Sequence, residues 1–267
     1  MSLKSDFENG IVVLGAGNVA THLSIALSKA GFFIKCIYSK TTESAKELAL
    51  KVDSLYTNEL SQIPDKADLY IIAVKDEIIE EMIKHLDLKY GMIVHTAGSI
   101  SIDIFENQFK NYGVFYPLQT FSKSRKINFS NIPICIEASN KQLESKLLNL
   151  ANCLTNSVSL INSEKRKMLH LSAVFACNFA NHMYSAATEI LDQSGVSFDL
   201  LKPLIIETVQ KAIDSNPIKA QTGPAVRNDK NVIQKHLEML KDNPEFEKIY
   251  RFVSESIFIL NQKKGKK

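Results

Sequence analysis

The sequence predicts an α/β fold, in which a doubly wound, mostly parallel sheet is followed by an all-helical C-terminal domain. Short apolar runs alternate with helical segments as far as Ile161, and no strand signal appears after Ser163. A glycine-rich turn joins the first apolar run to the first helical segment. Because parallel strands are joined by right-handed crossovers, this alternation is typical of a parallel sheet with intervening helices. We therefore expect two domains, residues 1–162 and residues 163–267.

The predicted strands are short apolar runs rich in β-branched residues, which are typical of strands buried in a parallel sheet. They are Ile11–Leu14, Phe32–Tyr38, Asp68–Val74, Met92–His95, Gly113–Tyr116, Ile132–Glu137 and Val158–Ile161. Apolar residues at helical spacing predict the helices between them, which are Ala20–Ala30, Thr42–Lys51, a segment ending near Leu86, and Lys141–Leu154. The helices expected in the second domain span about residues 164–193, 198–214, 229–241 and 245–261.

The composition is that of a soluble globular protein, since 45% of the 267 residues are hydrophobic and 23% are charged. The net charge of +3 is too small to indicate a nucleic-acid partner. The segment Met168–Thr188 contains no Asp, Glu, Lys or Arg. Its histidines and asparagines favour a helix buried inside protein over a membrane span, so no membrane association is expected.

The four cysteines indicate neither a disulfide framework nor a zinc site. Cys36, Cys135, Cys153 and Cys177 lie far apart, with no CxxC motif and no Cys/His pairing. The segment Met1–Gly10 is polar and acidic, whereas a secretory signal needs a basic start and an apolar core. These observations predict a cytoplasmic protein without a bound metal.

The first turn carries a motif for a phosphate-bearing ligand. Gly15-Ala16-Gly17-Asn18-Val19-Ala20 matches G-x-G-x-x-G/A and lies between a predicted strand and a predicted helix. Gly15 permits a tight turn, Gly17 lets a pyrophosphate approach the backbone, and Ala20 allows close contact between helix and strand. The unpaired N–H groups of the helix N-terminus favour an anion. The motif predicts dinucleotide binding, with a purely structural glycine turn as the alternative.

The end of the second strand indicates which dinucleotide is bound. An acid that bonds the adenosine ribose is expected there, but the segment Tyr38–Thr42 contains none. Ser39 and Thr41 can donate hydrogen bonds, and Lys40 adds positive charge. These groups suit a 2′-phosphate and so predict NADP rather than NAD. The alternative is that Lys40 is an ordinary exposed lysine.

Two further segments follow predicted strands at the edge where open α/β sheets bind ligands. They are AVKD, residues 73–76, and HTAGS, residues 95–99. Small residues such as Ala73, Ala97 and Gly98 would let a nicotinamide ribose approach closely. His95 is a candidate acid or base, although a structural histidine is the equal alternative.

The uncharged helix carries a polar stripe. At 100° per residue, one face of a regular α-helix would hold His170, Cys177, Asn181, Ser185 and Thr188, with Asn178 at its margin. Charged residues are typical of a solvent face, and unbonded asparagines are costly in a core. The stripe therefore favours substrate binding, with polar contacts between helices, within the domain or across a dimer, as the alternative.

The segment TGPAVRND, residues 222–229, precedes a predicted helix. Asp229 is a plausible N-cap for that helix. Arg227 is a candidate partner for a substrate carboxylate, because its planar guanidinium offers a bidentate fork.

Together these motifs resemble the Rossmann-type NADP oxidoreductases whose C-terminal part is known as domain of unknown function 2520. The resemblance covers nearly the whole chain and rests on the segments GAGNVA, AVKD, HTAGS, YPLQTFS, HLSAVFACNFANH, GPAVRND and HLEML. More distantly, the chain is similar to pyrroline-5-carboxylate reductase, ketopantoate reductase, 3-hydroxyacid dehydrogenases and deazaflavin-dependent NADP oxidoreductases. Their helical domain completes the active site and commonly forms the dimer, so the resemblance implies a homodimer through the helical domain.

The resemblance also implies the cofactor contacts, which lie in the four segments 15–20, 39–41, 73–75 and 95–99. The expected NADP-binding residues are Gly15, Ala16, Gly17, Asn18, Val19, Ala20, Ser39, Lys40, Thr41, Ala73, Val74, Lys75, Thr96, Ala97 and Gly98.

One departure from the relatives concerns the proton donor. Several relatives carry a lysine four residues before an asparagine that corresponds to Asn178, and Val174 stands at that place here. An isopropyl group cannot donate a proton. His170, one turn earlier, is the available substitute, because an imidazole titrates near neutral pH.

The sequence therefore predicts an NADP-dependent oxidoreductase that transfers a hydride to or from a small molecule with a C=O, C=N or alcohol centre. The expected catalytic residues are His170, Asn178 and, less favoured as the proton donor, His95. The expected substrate contacts are Tyr116, Asn181 and Arg227. The alternatives are a catalytically silent NADP-binding sensor or regulatory protein on the same fold, and hydride exchange between NADP and a deazaflavin.

Overall fold

The structure is a computed structural model that describes residues 6–264. The first five residues of the segment Met1–Gly10 lie outside the described residues. The chain divides into two compact units, Met1–Cys177 and Asn178–Lys267. The strands end before residue 162, as the sequence predicts, but the first unit continues through the helix that follows them.

The described part of the first unit contains one sheet of eight strands, in the order β3-β2-β1-β4-β5-β6-β7-β8. The strands are β1 Ile11–Leu14, β2 Ile34–Tyr38, β3 Leu55–Thr57, β4 Leu69–Ile72, β5 Met92–His95, β6 Tyr112–Pro117, β7 Ile134–Ala138 and β8 Val158–Leu160. All neighbouring pairs are parallel except β6 and β7. The predicted doubly wound, mostly parallel sheet is thus confirmed.

The helices of the first unit are α1 Asn18–Lys29, α2 Thr42–Val52, α3 Asp76–Lys84, α4 Lys141–Asn152 and α5 Ser163–Ala173. The first four follow the predicted helices to within a few residues, whereas α5 ends well before the predicted position. Helices α1, α2 and α4 pack their apolar residues on one face of the sheet. Helix α3 packs on the other face, and Leu169 of α5 packs against a cluster that contains Val114 and Tyr116 of β6.

Strand β3 was not predicted, because its sequence signal is weak. It has three residues and lies at the edge of the sheet, next to β2. Leu55 and Tyr56 are exposed, so β3 lacks the continuous buried run that marks the central strands.

Strand β7 runs in the opposite direction to β6. Pro117 pairs with Ile134 and Gly113 pairs with Ala138, and the segment between the strands holds only a short 3₁₀ turn, Phe129–Asn131. A parallel connection usually runs through an α-helix, which this segment lacks. Because β8 is parallel to β7, the chain leaves the sheet at the edge opposite the carboxyl ends of β1 to β6. Helix α5 therefore starts at that opposite edge.

The second unit is helical, as predicted. Its helices are α6 Ala180–Asp192, α7 Lys202–Asp214, α8 Pro217–Ala220, α9 Lys230–Met239 and α10 Pro244–Lys264. The short helix α8 was not predicted. Among the residues that the structure describes, no helix is long and apolar enough to cross a membrane.

The expected continuous α-helix over about residues 164–193 is interrupted. A π-helical segment, Val174–Phe179, separates α5 from α6. A π-helix closes its hydrogen bonds over five residues instead of four, so the spacing of 100° per residue does not hold through this segment. The projection that placed His170 and Asn181 in one stripe is therefore not valid across it.

Candidate active site

A cavity of about 640 Å³ opens at the carboxyl edge of the sheet in the first unit. Its size is typical of a small-molecule or cofactor site. The residues around it are Gly15, Ala16, Gly17, Asn18, Val19, Tyr38, Ser39, Lys40, Ser44, Ala73, Val74, Lys75, Asp76, Ile78, Met82, Thr96, Ala97, Gly98, Tyr116, Pro117, Gln119 and His170. The four segments predicted from the sequence to bind the cofactor thus surround one space.

The glycine turn fits a pyrophosphate. Gly15 has φ +131°, and a Cβ there would lie 2.3 Å from the carbonyl oxygen of Ala73, so no other residue fits. A Cβ at Gly17 would meet no described atom within 4 Å and would project into open space. No side chain caps α1, whose first N–H groups are left for a ligand. Ala20 is fully buried and belongs to the core beneath α1 rather than to the cavity.

The end of the cavity beside β2 is polar and positively charged. Ser39 and Lys40 line it, as predicted, while Thr41 does not. Thr41 instead donates a hydrogen bond to the hydroxyl of Ser44, 2.9 Å away. Ser44 lines the cavity and was not predicted, although its position in the first turn of α2 is a place where anions bind.

The other end of the cavity lies beside β5 and β6. His170 and Tyr116 both line it, and the Tyr116 hydroxyl lies 3.0 Å from Nδ1 of His170. A Cβ at Gly98 would lie 2.6 Å from the same nitrogen, so the glycine makes room for the imidazole ring. Since β1 and β4 separate β2 from β5 in the sheet, the His170 end is the one that a nicotinamide would reach.

The phenol of Tyr116 is held in its neutral form. Burial raises its pKa to about 12, with Cys135 and Asp76 adding to the rise and Arg166 opposing it. At neutral pH Tyr116 therefore keeps its proton and can both donate and accept hydrogen bonds.

His95 does not reach the cavity. It is fully buried, its Nδ1 accepts a hydrogen bond of 3.2 Å from the amide of Ala97, and its ring stacks on Phe105. Burial, reinforced by Arg166, lowers its pKa to about 3. At a pH above 6.5, the ordinary pKa of histidine, the ring is neutral in both the folded and the unfolded chain. As the pH falls from 6.5 toward 3, the unfolded chain takes up a proton that the folded chain does not, so the free energy of unfolding decreases. These observations favour the structural alternative for His95.

A buried ion pair fixes the start of α5. The guanidinium of Arg166 is fully buried and donates to the carboxylate of Glu137 on β7 and to the carbonyl oxygen of Ile100. Ser163 donates its amide and hydroxyl hydrogens to the same carboxylate, over 2.9 and 2.7 Å. Arg166 is one helical turn before His170, so these bonds hold the part of α5 that carries the imidazole. No sequence motif marked either charged residue.

The remaining predicted site residues belong to the second unit. Asn178, Asn181 and Arg227 are exposed there. Asn181, Ser185 and Thr188 line a second cleft, of about 460 Å³, together with Lys202 of α7. The predicted cap of α9 is confirmed, because Asp229 accepts a hydrogen bond from the amide of Val232. The substrate-binding roles of Asn181 and Arg227 stay predictions.

Among the described residues, no group of three or more His, Cys, Asp or Glu side chains is arranged to hold a metal ion.

A parallel sheet with a glycine turn, an uncapped helix N-terminus and a cavity across the carboxyl edge defines a dinucleotide-binding fold. The family described as "NADP oxidoreductase coenzyme F420-dependent" matches residues 10–99, and the domain of unknown function 2520 matches residues 132–257. The Bacteroides fragilis protein BF3122, assigned as an NADP oxidoreductase, is 46% identical, with 94% of this chain and 98% of that chain covered and a TM-score of 0.87. The chain belongs to this NADP oxidoreductase family, and NADP is its cofactor.

More distant solved structures share the fold. An imine reductase from Myxococcus stipitatus in complex with NADP⁺ is 14% identical, with 96% of this chain and 94% of that chain covered and a TM-score of 0.65. A 1-pyrroline-5-carboxylate reductase from Streptococcus pyogenes is 16% identical, with 93% and 97% covered and a TM-score of 0.56. Among curated proteins, none matches the sequence significantly.

Proposed function

We propose that this oxidoreductase transfers a hydride between NADP(H) and a small molecule with a C=O, C=N or alcohol centre, with His170 as the proton donor. One observation carries the proposal: a single cavity joins the glycine turn, the polar Ser39–Lys40 end and the half-buried imidazole of His170. The positions of these groups match the two ends of a dinucleotide bound across the carboxyl edge.

The chain's own residues would orient the reactants and move the proton. When bound, NADPH supplies the hydride. Gly15 and Gly17 leave room for its phosphates, and Ser39, Lys40 and Ser44 suit the 2′-phosphate. His170 then gives a proton to the substrate oxygen or nitrogen, since an imidazolium carries an N–H on each ring nitrogen. Asn178, Asn181 and Arg227 are the proposed polar contacts from the helical unit.

A second candidate is a silent NADP-binding sensor or regulatory protein. Val174, which cannot donate a proton, favours it, whereas the His170 imidazole in the cavity favours an enzyme. A third candidate, hydride exchange with a deazaflavin, is supported by the description of the family that matches residues 10–99.

One assay separates these candidates. The protein is mixed with NADPH and, in separate samples, with a panel of small ketones and aldehydes, a panel of cyclic imines and an oxidised deazaflavin, and the loss of NADPH fluorescence is followed. We expect turnover with a carbonyl or imine compound. Turnover with the deazaflavin alone would replace the small-molecule proposal, and tight NADPH binding without any turnover would favour the sensor.

The preference for NADP is expected to depend on Lys40. In Lys40→Asp a carboxylate replaces the ammonium near the 2′-phosphate, so NADPH affinity should fall about 10- to 100-fold, the equivalent of roughly 1.4 to 2.8 kcal/mol. NADH affinity should stay unchanged or rise. Fluorescence titration of both nucleotides measures the two affinities.

Lys46→Asp is the matched control for this change. Lys46 is exposed on α2 and does not line the cavity, so the same change of charge should affect NADPH binding much less. Equal losses for the two variants, or equal losses of NADPH and NADH affinity, would refute the role of Lys40.

We also propose a homodimer formed through the helical unit. Large apolar side chains on α6, α7 and α10 are exposed in the single chain, and such surfaces are typical of interfaces. They include Ile190, Leu204, Ile206, Ile213, Phe252 and Leu260. Sedimentation should give twice the chain mass of 29.9 kDa, and Ile206→Glu should weaken the association. A wild-type protein that stays monomeric at high concentration would contradict this. The cytoplasmic location stays a prediction.

A further inference from the structure

Two side chains from separate elements meet at the nicotinamide end of the cavity. Tyr116 projects from β6 and is 8% exposed, and His170 projects from α5. Their Oη and Nδ1 atoms are 3.0 Å apart, and the rings meet edge to face. This is hydrogen-bond distance, so one edge of the imidazole is already engaged by the protein.

Gly98 also lies against the edge of the imidazole that carries Nδ1. The three atoms of His170 nearest to a Cβ at Gly98 would be Nδ1, Cγ and Cβ. Gly98 and Tyr116 therefore enclose the Nδ1 edge, while Nε2 lies on the opposite edge of the ring. Among the described residues Nε2 has no hydrogen-bond partner, so it is the ring nitrogen that a substrate could engage.

A phenol suits both charge states of the imidazole. Its oxygen can accept from Nδ1–H of the imidazolium, and equally from Nδ1–H of the neutral ring that remains when Nε2 has given up its proton. Because burial holds the pKa of Tyr116 near 12, the phenol keeps its own proton in both states. A carboxylate at this place would favour the imidazolium, because its negative charge would stabilise the charged ring.

The charged and titratable groups around Tyr116 are few. Asp76 at the start of α3, Arg166 on α5 and Cys135 on β7 act on Tyr116. Arg166 is paired with Glu137, and Asp76 accepts a hydrogen bond from Ser99. None of these groups has a hydrogen bond to His170 among the described residues, so Tyr116 is its polar partner at Nδ1.

We propose that Tyr116 is a positioning residue for His170, which makes Nε2 the nitrogen that exchanges a proton with the substrate. This rests on the proposed function of His170 as the proton donor. In the reductive direction, a hydride adds to the carbon of C=O or C=N and Nε2–H gives its proton to the oxygen or nitrogen. NADPH becomes NADP⁺, the imidazolium becomes the neutral ring that keeps its proton on Nδ1, and the Tyr116 oxygen accepts from Nδ1–H before and after the transfer.

The test observes the imidazole directly, so it does not depend on turnover. The full chain is labelled with nitrogen-15 in its histidines and saturated with NADP⁺, and the ring nitrogens of His170 are assigned by comparison with His170→Gln. In the neutral ring we expect Nδ1 to carry the proton and Nε2 to show the shift of an unprotonated nitrogen. In Tyr116→Phe this preference should be lost, and the signals should move toward those of a ring protonated on Nε2.

Tyr112→Phe is the matched control. Tyr112 lies on the same strand but does not line the cavity, so its loss of a hydroxyl should leave the His170 signals unchanged. If Tyr116→Phe also leaves them unchanged, or if the neutral wild-type ring carries its proton on Nε2, the proposal is overturned.

Kinetics with a substrate from the NADPH assay gives a second readout. Misplacement of a proton donor can cost up to about 100-fold in rate, so Tyr116→Phe should lower kcat 10- to 100-fold with little change in the KM for NADPH. Incorporation of 3-fluorotyrosine at position 116 keeps the hydroxyl and should restore most of kcat while shifting the pH profile. An unchanged kcat in Tyr116→Phe would overturn the proposal. If wild-type protein turns over no substrate, the proposed function fails and the NMR measurement alone decides the role of Tyr116.

Discussion

His170→Ala is expected to abolish turnover while leaving NADPH affinity nearly unchanged. A positioned general acid contributes about 10²- to 10⁴-fold to a rate, and methyl cannot replace it. The imidazole lies at the opposite end of the cavity from Ser39 and Lys40 and does not belong to the glycine turn. Most of the predicted cofactor contacts therefore remain in the variant. Single-turnover oxidation of NADPH measures the chemical step, and fluorescence titration measures binding.

His85→Ala is the control for this experiment. His85 follows α3, is exposed and does not line the cavity, so its removal should change neither quantity. Full turnover in His170→Ala would exclude His170 as the proton donor. A large loss of NADPH affinity would instead indicate that the imidazole mainly supports the cofactor.

Arg166→Met is expected to destabilise the folded chain by about 3 to 5 kcal/mol, because it leaves the Glu137 carboxylate, the Ile100 carbonyl and the Ser163 hydroxyl without their cationic partner. The side chain of Arg166 is fully buried, and that of Glu137 is 16% exposed. We expect a value near the lower end, since water can still reach the carboxylate. Urea unfolding gives the difference in free energy.

The double variant Glu137→Gln with Arg166→Met tests the cause of this loss. With no charge left to compensate, the double variant should be more stable than Arg166→Met alone. Lys141→Met removes a cation from an exposed pair with Glu144 and should change stability little, since the lysine side chain is 89% exposed. A double variant less stable than Arg166→Met would show that packing rather than charge dominates.

Much of the first unit can be predicted from local sequence. The central strands are continuous apolar runs, and the glycine turn has a fixed spacing, so β1, α1 and the carboxyl edge of the sheet follow directly. Thirteen of the fifteen predicted cofactor residues line the cavity, while Ala20 and Thr41 do not. Both exceptions have local reasons, because Ala20 faces the sheet and Thr41 bonds to Ser44.

The nicotinamide end depends on contacts between distant parts of the chain. Tyr116 and His170 are 54 positions apart, and Glu137 and Arg166 are 29 positions apart. Local spacing contains no information on such pairs. Both contacts follow from the antiparallel direction of β7. Because β7 and β8 run opposite to β6, α5 starts at the edge of the sheet opposite the cavity, and the helix axis then runs toward the cavity. The π-helical segment was missed for a related reason, since it interrupts the period on which the polar stripe was based.

Gly98 has a consequence for the evolution of this family. A methyl group at position 98 would overlap the imidazole of residue 170, which is 72 positions later in the chain. A mutation that adds a side chain at one position is therefore tolerated only after the ring at the other has been lost. Positions 98 and 170 should therefore vary together, and a homologue with alanine at position 98 should have a residue other than histidine at position 170.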